Sequence, residues 1–263
     1  MFFDSHCHLT DPKLARDRAE VLRRASIEKV TGMVSIAVDL EDSAAILDFA
    51  DGRAIWATAG VHPQNALSWA PESESRLRAL ATRPHVVAIG EIGLDYLYDE
   101  THPKYPGATR PVQREVFEAQ LQIAADLNLP IVIHNREADE DLLAMVTAWA
   151  DRLPRKGVFH CFGSGPDVAR RVLDLGFFLG FTGTVTFKNA EDVRNNVNLC
   201  PLDQMLIETD APYLAPAPYR GKTNEPSYVP LVASQIAIIK NLSDAEVGQL
   251  TTANAHRLFG IQS

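Results

Sequence analysis

Cysteine is scarce: Cys7, Cys161 and Cys200 are the only three in 263 residues. An odd number at wide spacing excludes a disulfide framework of the secreted kind. Long apolar runs are also missing, since no stretch approaches the roughly 18 apolar residues that cross a bilayer. The opening Met1-Phe2-Phe3-Asp4-Ser5-His6 has no basic segment ahead of an apolar one, the arrangement a secretory leader requires. Arg23-Arg24 has no apolar run behind it and does not read as a twin-arginine signal. The expectation is a cytoplasmic protein without a membrane partner. Positive charge is in deficit, with 25 Lys and Arg against 34 Asp and Glu, a net −9. Sequence-independent coating of nucleic acid depends on neutralising many phosphates, and that mode is excluded. An enzyme gripping one phosphate at a time with local charge or bound metal is not. No Gly-x-Gly-x-x-Gly turn follows the first apolar run, so the usual dinucleotide fingerprint is lacking.

What is present is ordinary globular material. The chain is 46% hydrophobic and 22% charged, with 15 Gly and 16 Pro, which excludes disorder, collagen-like repeats and coiled coils. Short apolar runs alternate with longer amphipathic stretches from end to end. Strands are expected at 2–4, 32–38, 55–59, 86–90, 130–133, 157–159, 177–181 and 205–207. Several are apolar on both faces, as strands of a fully covered parallel sheet are. In 112–127, Val116, Phe117, Leu121, Ile123, Ala124 and Leu127 share one side of a helix. A further amphipathic stretch covers 228–240, and Ser243 with Glu246 forms a capping box for a last helix through Leu258. Eight β/α units in about 260 residues close most simply into a single (β/α)8 TIM-type barrel with an extra C-terminal helix, one domain over 1–263. The rival is an open doubly wound sheet. Residues 101–110, rich in proline and polar side chains, read as a loop above the fourth strand.

The chemistry concentrates at strand ends. His6 and His8 flank Cys7 directly after the first strand, and residues i and i+2 of an extended segment point the same way. Such a pair alone is a weak signal, equally well two polar residues at a strand end. The other ligand-type residues change the weighing. Glu91 follows Val-Val-Ala-Ile-Gly, His134 follows Pro-Ile-Val-Ile, His160 follows Gly-Val-Phe, and Asp210 follows Met-Leu-Ile-Glu-Thr. Each falls at or just past the C-terminal end of an expected strand, the face that carries barrel active sites. Imidazole and carboxylate ligands suit Zn, Mn, Fe or Co, and a bridging carboxylate suits a two-metal site. His62, in Gly60-Val61-His62-Pro63, shares that rim. His85, His102 and His256 read as ordinary polar residues. Cys7 and Cys161 read as small buried side chains, the alternative being a nucleophile. Arg136, Lys188, Arg220 and Lys222 are each a surface charge taken singly. Grouped on one face of an acidic protein, they point to an anionic substrate.

These segments resemble the TatD family of metal-dependent deoxyribonucleases. The motifs are Asp4-Ser5-His6-Cys7-His8, Gly60-Val61-His62-Pro63, Gly90-Glu91-Ile92-Gly93-Leu94-Asp95-Tyr96 and Pro130-Ile131-Val132-Ile133-His134-Asn135-Arg136. His160-Cys161-Phe162, Glu208-Thr209-Asp210-Ala211-Pro212 and Arg220-Gly221-Lys222-Thr223-Asn224-Glu225-Pro226 complete the set, in the family's order over 3 to about 260. The resemblance implies an amidohydrolase-type barrel with two divalent cations, Mg, Mn, Zn or Co. It implies that His6, His8, Glu91 and Asp210 hold one and Glu91, His134 and His160 the other. It further implies a 3′–5′ exonuclease on single-stranded DNA ends, with Asp210 and Glu91 serving an activated water. His62, Arg136, Arg220 and Lys222 would contact phosphate. A hydrolase of a small ester, amide or phosphotriester is the alternative reading, and an inactive metal-binding scaffold the third. No lysine ends the fourth strand, which argues against a carboxylated-lysine bridge. The chain departs from the family at Thr10, where Asp or Asn is usual, at Ile207, where Leu is common, and in a longer loop over 97–111.

Overall fold

The structure, a computed structural model, describes residues 1–262. Its eight strands are β1 (Phe2–Cys7), β2 (Val30–Ser35), β3 (Ile55–Ala59), β4 (Val86–Asp95), β5 (Ile131–Arg136), β6 (Gly157–Phe159), β7 (Phe178–Phe181) and β8 (Met205–Ile207). They lie in one sheet in chain order, every adjacent pair parallel. The helices between and after them are α1 (Pro12–Ala15), α2 (Arg18–Ile27), α3 (Leu40–Leu47), α4 (Ser73–Ala81) and α5 (Arg110–Leu127). They continue with α6 (Asp139–Trp149), α7 (Pro166–Asp174), α8 (Glu191–Leu199), α9 (Val229–Lys240) and α10 (Asp244–Phe259). This is the TIM-type barrel expected, with α10 as the additional helix.

The seam between β8 and β1 closes through individual bonds. Asp210 N–H donates to the His6 carbonyl at 2.9 Å, His8 N–H to the Ala211 carbonyl at 2.8 Å, and Ser5 Oγ to the Ile207 carbonyl at 3.1 Å. Asp4 adds a side-chain tie, accepting from Thr209 N–H and Thr209 Oγ1. These bonds hold His6, His8 and Asp210 together. At the other end of the barrel, Leu258 and Phe259 of α10 join Phe3, Val34, Trp56, Val87 and Leu206 in one buried cluster. The floor is apolar, so the polar chemistry is confined to the mouth. Both ends of α10 are fixed locally: Ser243 and Glu246 make the expected capping box, and Gly260 stops the helix at φ +68°.

Three strands run further than their apolar runs indicate. β1, β4 and β5 reach Cys7, Asp95 and Arg136, so His6, Glu91 and His134 sit inside strands rather than just beyond them. For β4 the reason is Gly93. Its φ of +143° suits glycine, and a Cβ there would collide with the His134 carbonyl. The pairing Gly93 with His134, Leu94 with Asn135 and Asp95 with Arg136 therefore persists. β2 covers Val30–Ser35 instead of 32–38, and β7 starts at Phe178. The loop after β4 ends at Thr109, whose side chain caps α5 by accepting from Val112 N–H.

Two glutamines tie α5 to the mouth. Gln120 accepts from Val61 N–H at 2.7 Å and donates to the Val61 carbonyl at 3.0 Å. Gln113 does the same for Asp95 at 2.8 and 2.9 Å. Both are buried, and they satisfy backbone groups where β3 and β4 give way to the residues of the site.

Candidate metal centre

All six residues proposed from the sequence as ligands converge at the mouth. Glu91 lies at their centre, and its two carboxylate oxygens face different partners. Oε2 stands 3.4 Å from His6 Nε2 and 3.9 Å from His8 Nε2. On that side Asp210 Oδ1 is 3.6 Å from His6 Nε2 and 3.4 Å from His8 Nε2, and the two imidazole nitrogens are 3.3 Å apart. Donor atoms about 2.1 Å from one ion stand roughly 3.4 Å from each other in a tetrahedral arrangement. The first cluster matches that spacing. The second is drawn tighter: Glu91 Oε1 is 2.7 Å from His134 Nδ1 and 2.8 Å from His160 Nε2, with 3.5 Å between the two nitrogens. The two contacts to Glu91 are at hydrogen-bond distance, so the three side chains hold one another in place.

The electrostatics suit a cation. Burial opposes charge on Glu91, but His160, His62 and His134 outweigh it and hold the carboxyl well below its ordinary range. Burial likewise opposes charge on Asp210, and the hydrogen bond with His8 keeps it low. Two carboxylates, Glu91 buried and Asp210 half-buried, are thus ionised beside a ring of imidazoles. His6 is fully buried with its Nδ1 unpartnered, and burial lowers its pKa, leaving a neutral ring whose Nε2 lone pair serves a ligand. The donor set fits divalent metal.

Two carboxylates that sequence reasoning left without a role stand behind these residues. Asp95 Oδ2 lies 3.2 Å from His134 Nε2. Glu208 Oε1 accepts from Cys161 N–H and lies 3.5 Å from His160 Nδ1, while Oε2 accepts from Ser5 Oγ. Gly180 leaves the room, because a Cβ there would press on the Glu208 carboxylate at 2.6 Å. His6, His160 and Glu208 also form a grouping of possible ligand atoms. Alternation points to Asp95, which lies four residues from Glu91 within β4; Glu208 lies beyond the end of β8, where alternation gives no guide.

His62 begins a 3-10 turn, and its Nδ1 accepts from Gln64 N–H at 3.1 Å. Burial lowers its pKa, so the neutral ring carries its proton on Nε2, 3.5 Å from Glu91 Oε1. A nitrogen bearing hydrogen donates rather than ligates. Cys161 is no nucleophile, since burial pushes its thiol up to about 12. Burial also pushes the Cys7 thiol well above its ordinary value.

The mouth opens into a cleft of about 2090 Å³ that includes His8, His62, Glu91, His134, His160 and Asp210 in its lining. Arg136 lines it as expected, and so do Arg18 and Lys104. Arg220, Lys222 and Lys188 do not line it, which corrects the grouping of all four cations around one substrate. Arg220 lays its guanidinium 3.5 Å over the Phe187 ring and Lys222 lies 5.4 Å from that of Tyr219.

Comparison with known proteins agrees with this geometry. The family model described as "TatD related DNase" matches residues 3–260. An uncharacterized metal-dependent hydrolase of Bacillus subtilis is 41% identical over 262 residues, 99% of this chain and 100% of that protein. A Salmonella typhimurium protein named 3′-5′ ssDNA/RNA exonuclease TatD is 37% identical over 265 residues, 98% of this chain and 99% of that one. Among solved structures, a TatD homologue from Escherichia coli superposes with a TM-score of 0.90 at 29% identity, covering 99% of this chain and 98% of its own.

Proposed function

Because the chain belongs to the TatD-related DNase family of metal-dependent hydrolases, we propose that it removes nucleotides from the 3′ ends of single-stranded DNA. The observation that carries this reading is Glu91, whose two oxygens serve separate imidazole clusters at the base of an open cleft. His6, His8, Glu91 and Asp210 would hold one divalent cation, and Glu91, His134 and His160 a second. Such ions supply Lewis acidity, which acidifies water toward neutral pH and offsets charge developing on phosphoryl oxygens.

The chain's own residues do the rest. Asp210, ionised and half-buried beside His8, orients the attacking water and takes its proton at the carboxylate. His62 presents Nε2–H to a non-bridging phosphoryl oxygen, a donor aimed where charge develops. Arg136, at the end of β5 and lining the cleft, meets the next phosphate along. The cleft volume exceeds the roughly 300–1,000 Å³ of ordinary small-molecule sites, which favours a polymer end over a small ester. The acidic body disfavours long duplex DNA, and a single-stranded end avoids the unpairing cost of reaching a recessed site.

The test is metal-stripped protein restored with Mg, Mn, Co or Zn and given end-labelled single-stranded DNA, beside Asp210→Asn. Mononucleotides released from the 3′ end, lost in the variant, are expected. Internal fragments from the outset overturn the exonuclease reading. Cleavage of small esters but of no DNA moves the assignment to small-molecule hydrolysis.

A further inference from the structure

The cleft has two unlike walls. One, formed by the segments after β1 and β2, carries Asp11, Asp39, Glu41, Asp42 and Asp48 against a single cation, Arg18. The other is built by the loop between β4 and α5 with the end of β5, and carries Tyr98, Lys104, Tyr105 and Arg136. A polyanion is repelled by the first and drawn to the second.

Two flat rings of this loop, Tyr98 and Tyr105, line the second wall, and His102 lies against both of them. Tyr98 and His102 have centroids 4.7 Å apart with their planes tilted by 46°, and His102 and Tyr105 lie within 14° of parallel at 5.8 Å. Cations bracket the rings: Arg136 sits 5.3 Å from the Tyr98 ring and Lys104 5.1 Å from that of Tyr105. Tyr105 closes the series and is 57% exposed.

The rings are held in place before any ligand arrives. Asp99, buried at the centre of the loop, accepts from Thr101 N–H and Oγ1 and from Arg110 Nε, while its carbonyl accepts from Gly107 N–H. Tyr105 N–H donates to His102 Nδ1 at 2.8 Å, which fixes the two rings relative to each other. Tyr98 N–H donates to Asp95 Oδ1, and Asp95 reaches His134 through its other oxygen. The rings are therefore anchored on the strand that carries the metal centre. Rings ordered in advance lose little entropy when they stack on a ligand.

We infer that Tyr98 and Tyr105, held relative to each other by His102, form a base-stacking platform for a single strand whose terminal phosphodiester lies at the metal centre. Lys104 and Arg136 meet the backbone alongside. This rests on the nuclease reading and deepens it, because every base presents a stackable face and paired bases do not. It makes the protein selective for unpaired, base-bearing strands without regard to sequence.

The experiment separates the platform from the chemistry. Binding is measured by fluorescence anisotropy in the presence of chelator, so that no turnover occurs, with an oligothymidylate and an abasic oligomer of equal length. The intact protein should prefer the base-bearing strand by about tenfold, the effect of one lost base stack. Tyr105→Ala should abolish most of that preference and Tyr105→Trp should restore it. Affinity for the abasic strand should be the same in all three proteins. In turnover with metal, Tyr105→Ala should raise KM for oligothymidylate with kcat held, and leave hydrolysis of bis(p-nitrophenyl) phosphate unchanged. Equal affinity for the two strands in the intact protein overturns the platform, and so does an equal loss on the abasic strand in Tyr105→Ala. A base preference that tracks Tyr105 in a protein cleaving no phosphodiester supports the platform and sinks the nuclease reading.

Discussion

Asp95 and His134 face each other, carboxylate Oδ2 to imidazole Nε2, at 3.2 Å. The same oxygen accepts from Gln64 Nε2 at 2.8 Å, and Oδ1 accepts from Tyr98 N–H. Burial opposes charge on Asp95, but these bonds hold its carboxyl below the ordinary value. An ionised Asp95 accepts a hydrogen bond from His134 Nε2–H and leaves Nδ1 turned toward Glu91, the arrangement by which carboxylates fix metal-ligating histidines. Asp95→Asn keeps the shape and removes the charge. Metal affinity or activity should fall by about 10–100-fold, read by competition against a chromogenic chelator. Unchanged affinity removes Asp95 from a positioning role.

A carboxylate shared by two ions loses contact with both when truncated, whereas a histidine of one cluster affects one. Glu91→Ala should therefore retain less metal than His160→Ala, with activity following. Elemental analysis decides the matter, and equal contents in the two variants sink the bridging role of Glu91.

The hydrogen bond from Gln64 N–H to His62 Nδ1 leads to a different expectation for His62. A ring that donates from Nε2 to phosphate is dispensable for metal and needed for turnover. His62→Ala should keep the metal content of the parent and lose about a hundredfold in kcat, the effect of removing one donor from a transition-state oxygen. His62, Glu91 and His134 also offer ligand atoms near one another. A drop in bound metal in His62→Ala would reassign the residue as a ligand.

Gln120 tests how the fold supports the site. It is the only side chain hydrogen-bonding both Val61 N–H and the Val61 carbonyl among the described residues. Gln120→Leu keeps the volume but strands two backbone groups in an apolar setting. Each unsatisfied group costs about 1–3 kcal/mol, so Tm should drop by several degrees. Catalysis should weaken as well, because His62 is the next residue. Calorimetry showing no loss of stability would mean the segment re-pairs elsewhere.

The barrel was legible because eight apolar runs kept their order and each was followed by a helical period. The six proposed ligands were legible because strand ends converge on one mouth, whatever the side chains do. What stayed hidden depends on the third dimension. Gln113 and Gln120 share the buried side of α5 with Val116 and Phe117, and hydrophobicity alone reads them as surface. Asp95 and Glu208 lay inside motifs already singled out, yet a carboxylate that orients a ligand has the same composition as a helix cap. Arg220 and Lys222 were grouped with the site by charge, and only the position of the Phe187 and Tyr219 rings shows where those cations spend their contacts. The longer loop read as irregular because its order comes from one buried carboxylate rather than from a repeating pattern.

That carboxylate gives the loop a defined pH range. Hydrogen bonds from the Thr101 hydroxyl, from Arg110 and from Thr101 N–H, in that order, lower Asp99 to about 2. An unfolded aspartate titrates near 3.9. A group depressed in the folded state contributes stability that is complete above its unfolded value and is lost as pH falls through the folded one. The loop should therefore stay closed at pH 5, weaken below about 4, and open as pH approaches 2. Arg110 is 55% exposed, so salt screens its share and the Thr101 bonds carry most of the effect. Amide exchange in peptides covering 97–109, corrected for the intrinsic pH dependence of exchange, reads this directly. The parent should show protection at pH 7 and at pH 5, and Asp99→Asn should show it at neither. Equal protection in the two proteins, or loss in the parent already at pH 5, would mean that something other than the Asp99 carboxylate closes the loop.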